Sequence, residues 1–269
     1  VNNGVTNLSI AGANIVITGA SGGIGEQIAY EVAKRGAIPI LLARNEEKLA
    51  KIAEQIKETY AVPCRYYRLD VSDVAAVEAV FQQIFHDIET IDVLVNNAGF
   101  GVFRNVEEID LQEMKEMFAV NVFGLIACTK MVYSHMVKRG SGHIINIASQ
   151  AGKIATPKSS VYAATKHAAL GFTNSLRMEA AQNGVFVTAV NPGPIQTNFF
   201  TIADASGDYV KNVKKWMLRA DDVARRVVEI MMTPTREVNM PFWMNIGSKM
   251  YQLFPSFIEK LGKNAFFKK

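Results

Sequence analysis

The sequence predicts an α/β fold: a doubly wound parallel sheet of the Rossmann type, with helices on both faces, in a single domain. Three observations predict it. Six short apolar runs alternate with segments of helical periodicity, the joints between them are short, and the first joint is rich in glycine. Short apolar runs suit strands buried on both faces, and right-handed crossovers place helices on each side of such a sheet. A chain of 269 residues suits one large domain with a substantial core.

The elements follow in order. Residues 14–18 form the first expected strand, followed by a glycine cluster and a helix over 23–34 with Ile24, Ile28 and Val32 at helical spacing. A second strand at 38–43 leads to a charged helix over 45–59 that carries Leu49, Ile52 and Ile56. The third strand, 64–69, precedes a helix that Asp73 N-caps and that runs to about residue 86. Next come a strand at 92–96, one long helix over 111–138 and a strand at 143–148. A helix over 160–182, closed by Asn183 and Gly184, precedes the sixth strand at 185–191. Beyond Pro192 the pattern loosens into a polar and aromatic stretch to Arg219, a helix to about Met232, and a tail.

Composition narrows the function. The chain is 49% hydrophobic and 20% charged, ordinary for a globular protein, with a net charge of +4 spread along its length. That charge weakly suits an anionic ligand and lacks the concentrated basic stripe that nucleic acid needs. Cys64 and Cys128 have no metal-ligand spacing and cannot build a disulfide framework, so a reducing cytoplasm is the expected compartment. His86, His135, His143 and His167 are scattered, and no metal site is expected. The first residues, Val1 to Gly4, lack the basic and apolar regions of a secretory signal. No uncharged apolar run reaches the roughly 18 residues of a membrane helix.

The turn after the first strand reads Thr18-Gly19-Ala20-Ser21-Gly22-Gly23-Ile24-Gly25. Glycines here let backbone approach a ligand, and the helix start offers free N–H groups and a positive dipole end to a pyrophosphate. The spacing G-x-x-x-G-x-G departs from the common dinucleotide fingerprint. The same residues also match G-x-S-x-G, which would make Ser21 the nucleophile of an α/β-hydrolase. That alternative needs an acid and then a histidine late in the chain, and the last histidine is His167.

Tyr162 and Lys166 lie four apart on an expected helix and so share a face. An unperturbed phenol, with a pKa of about 10, is a poor base at neutrality, and a nearby ammonium favours its ionised form. Tyr30 and Lys34 have the same spacing, so the pair alone carries little. Ser149, 13 residues before Tyr162 and just past the fifth strand, separates them. In a doubly wound sheet ligands bind at the carboxyl ends of strands, where Ser149 can hold a substrate oxygen. Asn96-Asn97-Ala98-Gly99, Asp70, and Pro192-Gly193 with Thr197 end other strands at the same edge.

As a set, these residues resemble the short-chain dehydrogenase/reductase family over about residues 10–200. The resemblance implies an NADP(H)-dependent oxidoreductase that moves a hydride between nicotinamide and a carbonyl or alcohol carbon. It implies Asn121, Ser149, Tyr162 and Lys166 as the catalytic tetrad: Tyr162 as acid/base, Ser149 polarising the carbonyl, Lys166 binding the nicotinamide ribose and tuning Tyr162, and Asn121 holding a water in a proton relay. It further implies Gly19, Ser21, Gly23, Ile24 and Gly25 at the cofactor phosphates, Asp70 and Val71 beside adenine, Asn97, Ala98 and Gly99 along the cofactor, and Pro192, Gly193 and Thr197 at the carboxamide. It divides the chain into a core at 10–193, a substrate-covering segment at 194–219 and a helical tail at 246–269. Family members pair through the helices at 111–138 and 160–182, so a homodimer or homotetramer is expected. A non-catalytic NADP sensor or scaffold on the same fold is the competing reading, and such relatives are expected to lack Tyr or Lys of the tetrad.

NAD sites carry a carboxylate at the end of the second strand. Here Ala43 stands at that position and Arg44 follows, which suits a 2′-phosphate and favours NADP(H) over NAD(H). Phe199, Phe200, Tyr209 and Trp216 in the covering segment, with Phe242, Trp243, Tyr251, Phe254, Phe257, Phe266 and Phe267 in the tail, suit a large apolar carbonyl substrate or simply pack on the protein itself. Met250, Phe254, Phe257, Ile258 and Leu261 form a helical stripe interrupted at Pro255, with Lys249, Lys260, Lys263, Lys268 and Lys269 around it. Docking on its own domain is the expected fate of this stripe, with a membrane surface or a partner as the alternative.

Overall fold

The computed structural model describes residues 9–204 and 207–266, with side chains to residue 260. The expectations at Val1 to Gly4 and for the side chains of Leu261, Lys263, Phe266, Phe267, Lys268 and Lys269 lie outside the described residues.

Seven parallel strands form the main sheet: β1 (Asn14–Thr18), β2 (Ile38–Ala43), β3 (Arg65–Arg68), β4 (Val93–Asn96), β5 (Gly142–Ile147), β6 (Val185–Pro192) and, late in the chain, a strand at Glu237–Met240. Two short strands, β7 (Ile195–Gln196) and β8 (Leu218–Arg219), pair beside it, which makes Glu237–Met240 β9. The order β3-β2-β1-β4-β5-β6-β9 reverses direction between β1 and β4, the place where a doubly wound sheet opens a crevice at its carboxyl edge.

Strand periodicity divides the core between the two faces. Ile15, Ile17, Leu41, Val93, Val95 and Ile145 point to one side, against α1 (Gly23–Lys34), α2 (Glu46–Tyr60) and Val223 and Val227 of the helix Ala220–Glu229. Val16, Ile40, Leu42, Leu94 and Ile144 point to the other. They pack on Phe81 of α3 (Val74–Asp87), on Cys128 and Val132 of the helix Leu125–Arg139, and on Leu176 of Ser160–Ala180. The caps follow local chemistry: the side chains of Asn45 and Asp73 accept hydrogen bonds from Lys48 N and Ala76 N, and Gly140 and Gly184 close their helices in the left-handed conformation.

Three departures from expectation have physical causes. The segment 111–138 is not one regular helix: α4 (Leu111–Phe118) passes through a π-helical turn at Ala119–Gly124 into α5 (Leu125–Arg139). By length and hydropathy Leu111–Arg139 would pass for a membrane span, yet Cys128, Val132 and Met136 are buried on the sheet, as in a core helix. The strand β9, with only Val238 fully buried, is too short and polar to show period-two alternation. Past α6 (Ser160–Ala180) come two short helices, α7 (Phe199–Ala203) and α8 (Asp208–Val213), then α9 (Ala220–Glu229). The tail forms α10 (Phe242–Leu253) and α11 (Pro255–Phe266), broken at Pro255 as anticipated. Among its described side chains the apolar stripe does not dock on the domain: Met250, Phe254 and Phe257 are exposed and only Ile258 is half-buried.

Candidate active site

A cavity of about 930 Å³ opens over the carboxyl ends of β1, β4, β5 and β6. This is toward the upper end of the range for small-molecule sites, roughly 300–1,000 Å³, and is large enough for a dinucleotide and a second molecule to share.

At one end lies the glycine turn. Gly19 sits at φ +66°, and a Cβ there would come within 2.9 Å of the Ala98 Cα, so only glycine fits against the β4 loop. Thr18 Oγ1 accepts hydrogen bonds from the amides of Asn97 and Ala98, both at 3.0 Å, while Asn97 Nδ2 donates to the Thr18 and Gly19 carbonyls at 2.9 and 3.2 Å. These bonds tie the β1 and β4 turns into one floor. Gly19, Ser21, Gly23, Ile24, Asn97, Ala98 and Gly99 line the cavity. Helix α1 begins at Gly23, and its N-cap residue, Gly22, has no side chain to cap it, so its first-turn N–H groups remain available to an anion. Gly25 is turned from the cavity. A Cβ there would lie 2.4 Å from the Gly19 carbonyl oxygen, so it packs the helix onto the turn.

At the other end three polar side chains converge. Tyr162 and Lys166 lie on successive turns of α6, buried at 8% and 6% exposure. Ser149 follows β5 in extended conformation; its Oγ accepts from Ala151 N at 3.0 Å and lies 3.5 Å from the Pro192 carbonyl. Lys166 Nζ donates to the Ile147 carbonyl at 3.1 Å and stands 5.8 Å from the centre of the Tyr162 ring. Burial pushes the Tyr162 hydroxyl up to about 12, opposed by its hydrogen bond with Ser149. Burial lowers Lys166 to about 8. The net lowering of Tyr162 expected from the ammonium does not occur in the free protein, where desolvation dominates.

Asn121 lies in the π-helical turn and does not line the cavity. Its Oδ1 accepts from Phe100 N at 3.0 Å, and its Nδ2 donates to the Phe100 carbonyl at 2.8 Å and to Thr165 Oγ1 at 3.1 Å. It pins the loop after β4 to α6, one residue from Lys166. Asp70 and Val71 also stand outside the cavity lining. Asp70 accepts from Ser72 and faces Arg44 at 4.0 Å, while Val71 is buried against Gly124. Pro192, Gly193 and Thr197 line the cavity, and Gly193 N donates to the Met240 carbonyl of β9 at 2.7 Å.

Arg44, at the end of β2, lines the cavity and is mostly exposed. Lys48 and Lys51 of α2 line it too, and sequence reasoning missed both by reading α2 only as a charged outer face. The walls near Tyr162 include Phe103, Phe199, Phe200 and Tyr209, stacked edge-on or tilted at centroid distances of 5.2–6.3 Å. Phe103 lies in a loop with no periodic signal and was also missed. No histidine or aspartate lines the cavity among the described residues, so Ser21 has no hydrolase triad around it. His143 is buried in the sheet against Thr188, and burial lowers it to about 3.

The cradle fits a nicotinamide dinucleotide: a glycine turn with free helix N–H groups at one end, a Ser–Tyr–Lys cluster at the other, and a continuous cavity between. Residues 13–206 match the family model for short chain dehydrogenases. An uncharacterised oxidoreductase of Staphylococcus epidermidis is 32% identical over 220 residues, covering 82% of this chain and 91% of that protein. An NADP-dependent 3-hydroxy acid dehydrogenase of Schizosaccharomyces pombe is 34% identical over 193 residues, 71% of this chain and 74% of that one. The solved alcohol dehydrogenase of the archaeon Thermococcus sibiricus, complexed with 5-hydroxy-NADP, superposes with a TM-score of 0.77 at 29% identity, covering 85% of this chain and 95% of that one.

The fold and the site define an oxidoreductase built on a dinucleotide-binding sheet. The chain belongs to the short-chain dehydrogenase/reductase family.

Proposed function

We propose that this protein is an NADP(H)-dependent carbonyl reductase or alcohol dehydrogenase with Tyr162 as its acid/base. The observation that carries the proposal is the meeting of Ser149, Tyr162 and Lys166 in the cavity that also receives the glycine turn. When bound, the reduced nicotinamide supplies the hydride. The hydroxyls of Ser149 and Tyr162 donate to the carbonyl oxygen, and the Tyr162 proton passes to that oxygen as its negative charge develops. Tyr162 is held neutral by burial, the state a proton donor needs. Lys166 offers its ammonium to the ribose hydroxyls and to the resulting phenolate. Asn121 acts by holding the Phe100 backbone and Thr165 around Lys166.

Arg44, Lys48 and Lys51 at the β2 end support NADP(H) over NAD(H), since three cations there match a 2′-phosphate and Ala43 removes the competing acid. Phe103, Phe199, Phe200 and Tyr209 support an apolar substrate of some size. Phe123 and Met178, exposed on the π-helical turn and on α6, support pairing of two copies through these helices. The free thiols Cys64 and Cys128 suit a reducing cytoplasm.

The test is consumption of NADPH and NADH across carbonyls graded from small and polar to long and apolar, with wild type and Tyr162→Phe. Turnover with NADPH, rising with apolar length and lost in Tyr162→Phe, is expected. Turnover that survives this substitution refutes the acid/base assignment, and a preference for small polar ketones refutes the substrate class.

A further inference from the structure

The tail helix α10 has two faces with different destinies. Met244, Ser248 and Tyr251, spaced four and three apart, turn inward. Met244 lines the cavity, and a Cβ on Gly193 would lie 2.7 Å from its sulfur, while Ser248 is fully buried. The opposite face carries Trp243, Ile246, Met250 and Leu253, all exposed, the last at 69%. Phe242 on α10 and Phe257 on α11 extend the same apolar character, at 73% and 60% exposure. Trp216, from the segment before β8, meets Trp243 edge-on with ring centres 5.5 Å apart, so two chain segments build one surface. Large aromatic and aliphatic side chains gathered like this are uncommon on a surface that faces only water.

The charge around the patch is mainly positive. Lys214 and Lys215 precede Trp216, Lys249 stands beside the α10 stripe, and Lys260 follows Phe257 by one turn; all four are exposed. Two acids lie nearby: Asp208 pairs with Lys211 at 3.1 Å, and Glu259, held at 2.9 Å by the Tyr251 hydroxyl, sets one negative charge against the four lysines. An apolar stripe with indole rings and a lysine rim matches the boundary of an anionic bilayer, where rings enter the headgroup level and lysines meet lipid phosphates. A second copy docking isologously on the same face would set these four lysines against their own equivalents, with Glu259 alone to answer them.

We propose that the outer face of α10, with Trp216 and Phe257, binds the surface of an anionic lipid membrane peripherally. The inner face of the same helix walls the cavity, so the membrane contact lies one helix away from the site.

Both tryptophans of the chain are in this patch, so intrinsic fluorescence reports on it directly. The full chain is mixed with vesicles of equimolar phosphatidylcholine and phosphatidylglycerol, or of phosphatidylcholine alone, and followed by flotation and tryptophan emission. Expected are co-flotation and a blue shift with the anionic vesicles, both weakened by salt. Ile246→Asp with Leu253→Asp abolishes them without changing the melting temperature or the gel-filtration mass. Neutralising Lys214, Lys215 and Lys249 to Gln costs roughly fivefold in partitioning per lysine. No binding to anionic vesicles, equal binding to phosphatidylcholine alone, or binding that survives the paired aspartates overturns the proposal. A wild-type oligomer that Ile246→Asp splits, with no vesicle binding, assigns the face to a second copy instead.

Discussion

Two Tyr-x-x-x-Lys pairs stand on helices of this protein, and only one has the setting for chemistry. Tyr30 and Lys34 lie on α1, where Tyr30 is half-buried with its hydroxyl donating to Gln55 Oε1 at 2.7 Å and Lys34 is exposed. Tyr162 and Lys166 lie on α6 with both side chains buried, next to Ser149 at the carboxyl edge of the sheet. The spacing is identical. What differs is desolvation, the neighbouring hydroxyl and the position relative to strand ends. Four residues of helix bring two side chains to one face, but the sheet decides what that face meets: Tyr30 lines the same cavity beside Gln55 of α2, and only Tyr162 meets Ser149.

The largest expected effect breaks this comparison or confirms it. Tyr162→Phe should lower kcat by roughly 10²–10⁴-fold, the range for loss of a positioned proton donor. Tyr30→Phe should leave kcat within about twofold, since its hydroxyl lines the cavity against Gln55, away from Ser149 and the reacting atoms. Similar losses in steady-state assays of the two would erase the distinction.

Next in size is cofactor choice. Arg44→Ala should raise the NADPH KM roughly tenfold or more, the worth of a hydrogen bond to a charged group, and leave the NADH KM almost unchanged. Lys48→Ala should do the same to a smaller degree. Equal effects on both cofactors would remove the 2′-phosphate from this corner.

A smaller effect sharpens the contrast in burial. Lys166, at about 8 in the folded protein against 10.5 when free, holds fewer protons folded than unfolded between those values. The Lys166 contribution to the stability of the cofactor-free protein should therefore rise as pH climbs from about 8 toward 10.5, against the opposite contribution above about 9 of Cys64 and Cys128, which burial pushes up to about 12. Lys166→Met should abolish that rise and stabilise the free protein at neutral pH by on the order of 1–3 kcal/mol. Denaturant melts across this pH range check it. An unchanged profile in Lys166→Met would contradict the burial of the ammonium.

The fold was legible wherever its signal was local and strong. β1, β2 and β4 to β6 are apolar runs between glycine-bearing joints, and their alternating side chains fill both faces. The edge strand β3, Arg-Tyr-Tyr-Arg, was legible through its place in the alternation despite its exposed side chains. β9 was not, because Glu237-Val-Asn-Met240 gains its strand character only from pairing with β6. The π-helical turn at Ala119–Gly124 also leaves no mark in side-chain periodicity, so Asn121 could be reached only through resemblance to a family. The meeting of Ser149, Tyr162 and Lys166 was readable because strand ends share an edge. Lys48, Lys51 and Phe103 were not, since they become cavity walls only once α2 and the β4 loop are packed. The tail misled for a related reason. Its stripe is truly amphipathic, but the apolar side of α10 faces outward.

The central claim is that Ser149 and Tyr162 act as one unit on one oxygen atom. A double-mutant cycle of Ser149→Ala and Tyr162→Phe on kcat tests it most directly. The double variant should be scarcely slower than Tyr162→Phe alone, because the proton donor and the hydroxyl beside it serve the same transition state. Losses that simply multiply would show two independent groups and contradict the shared site.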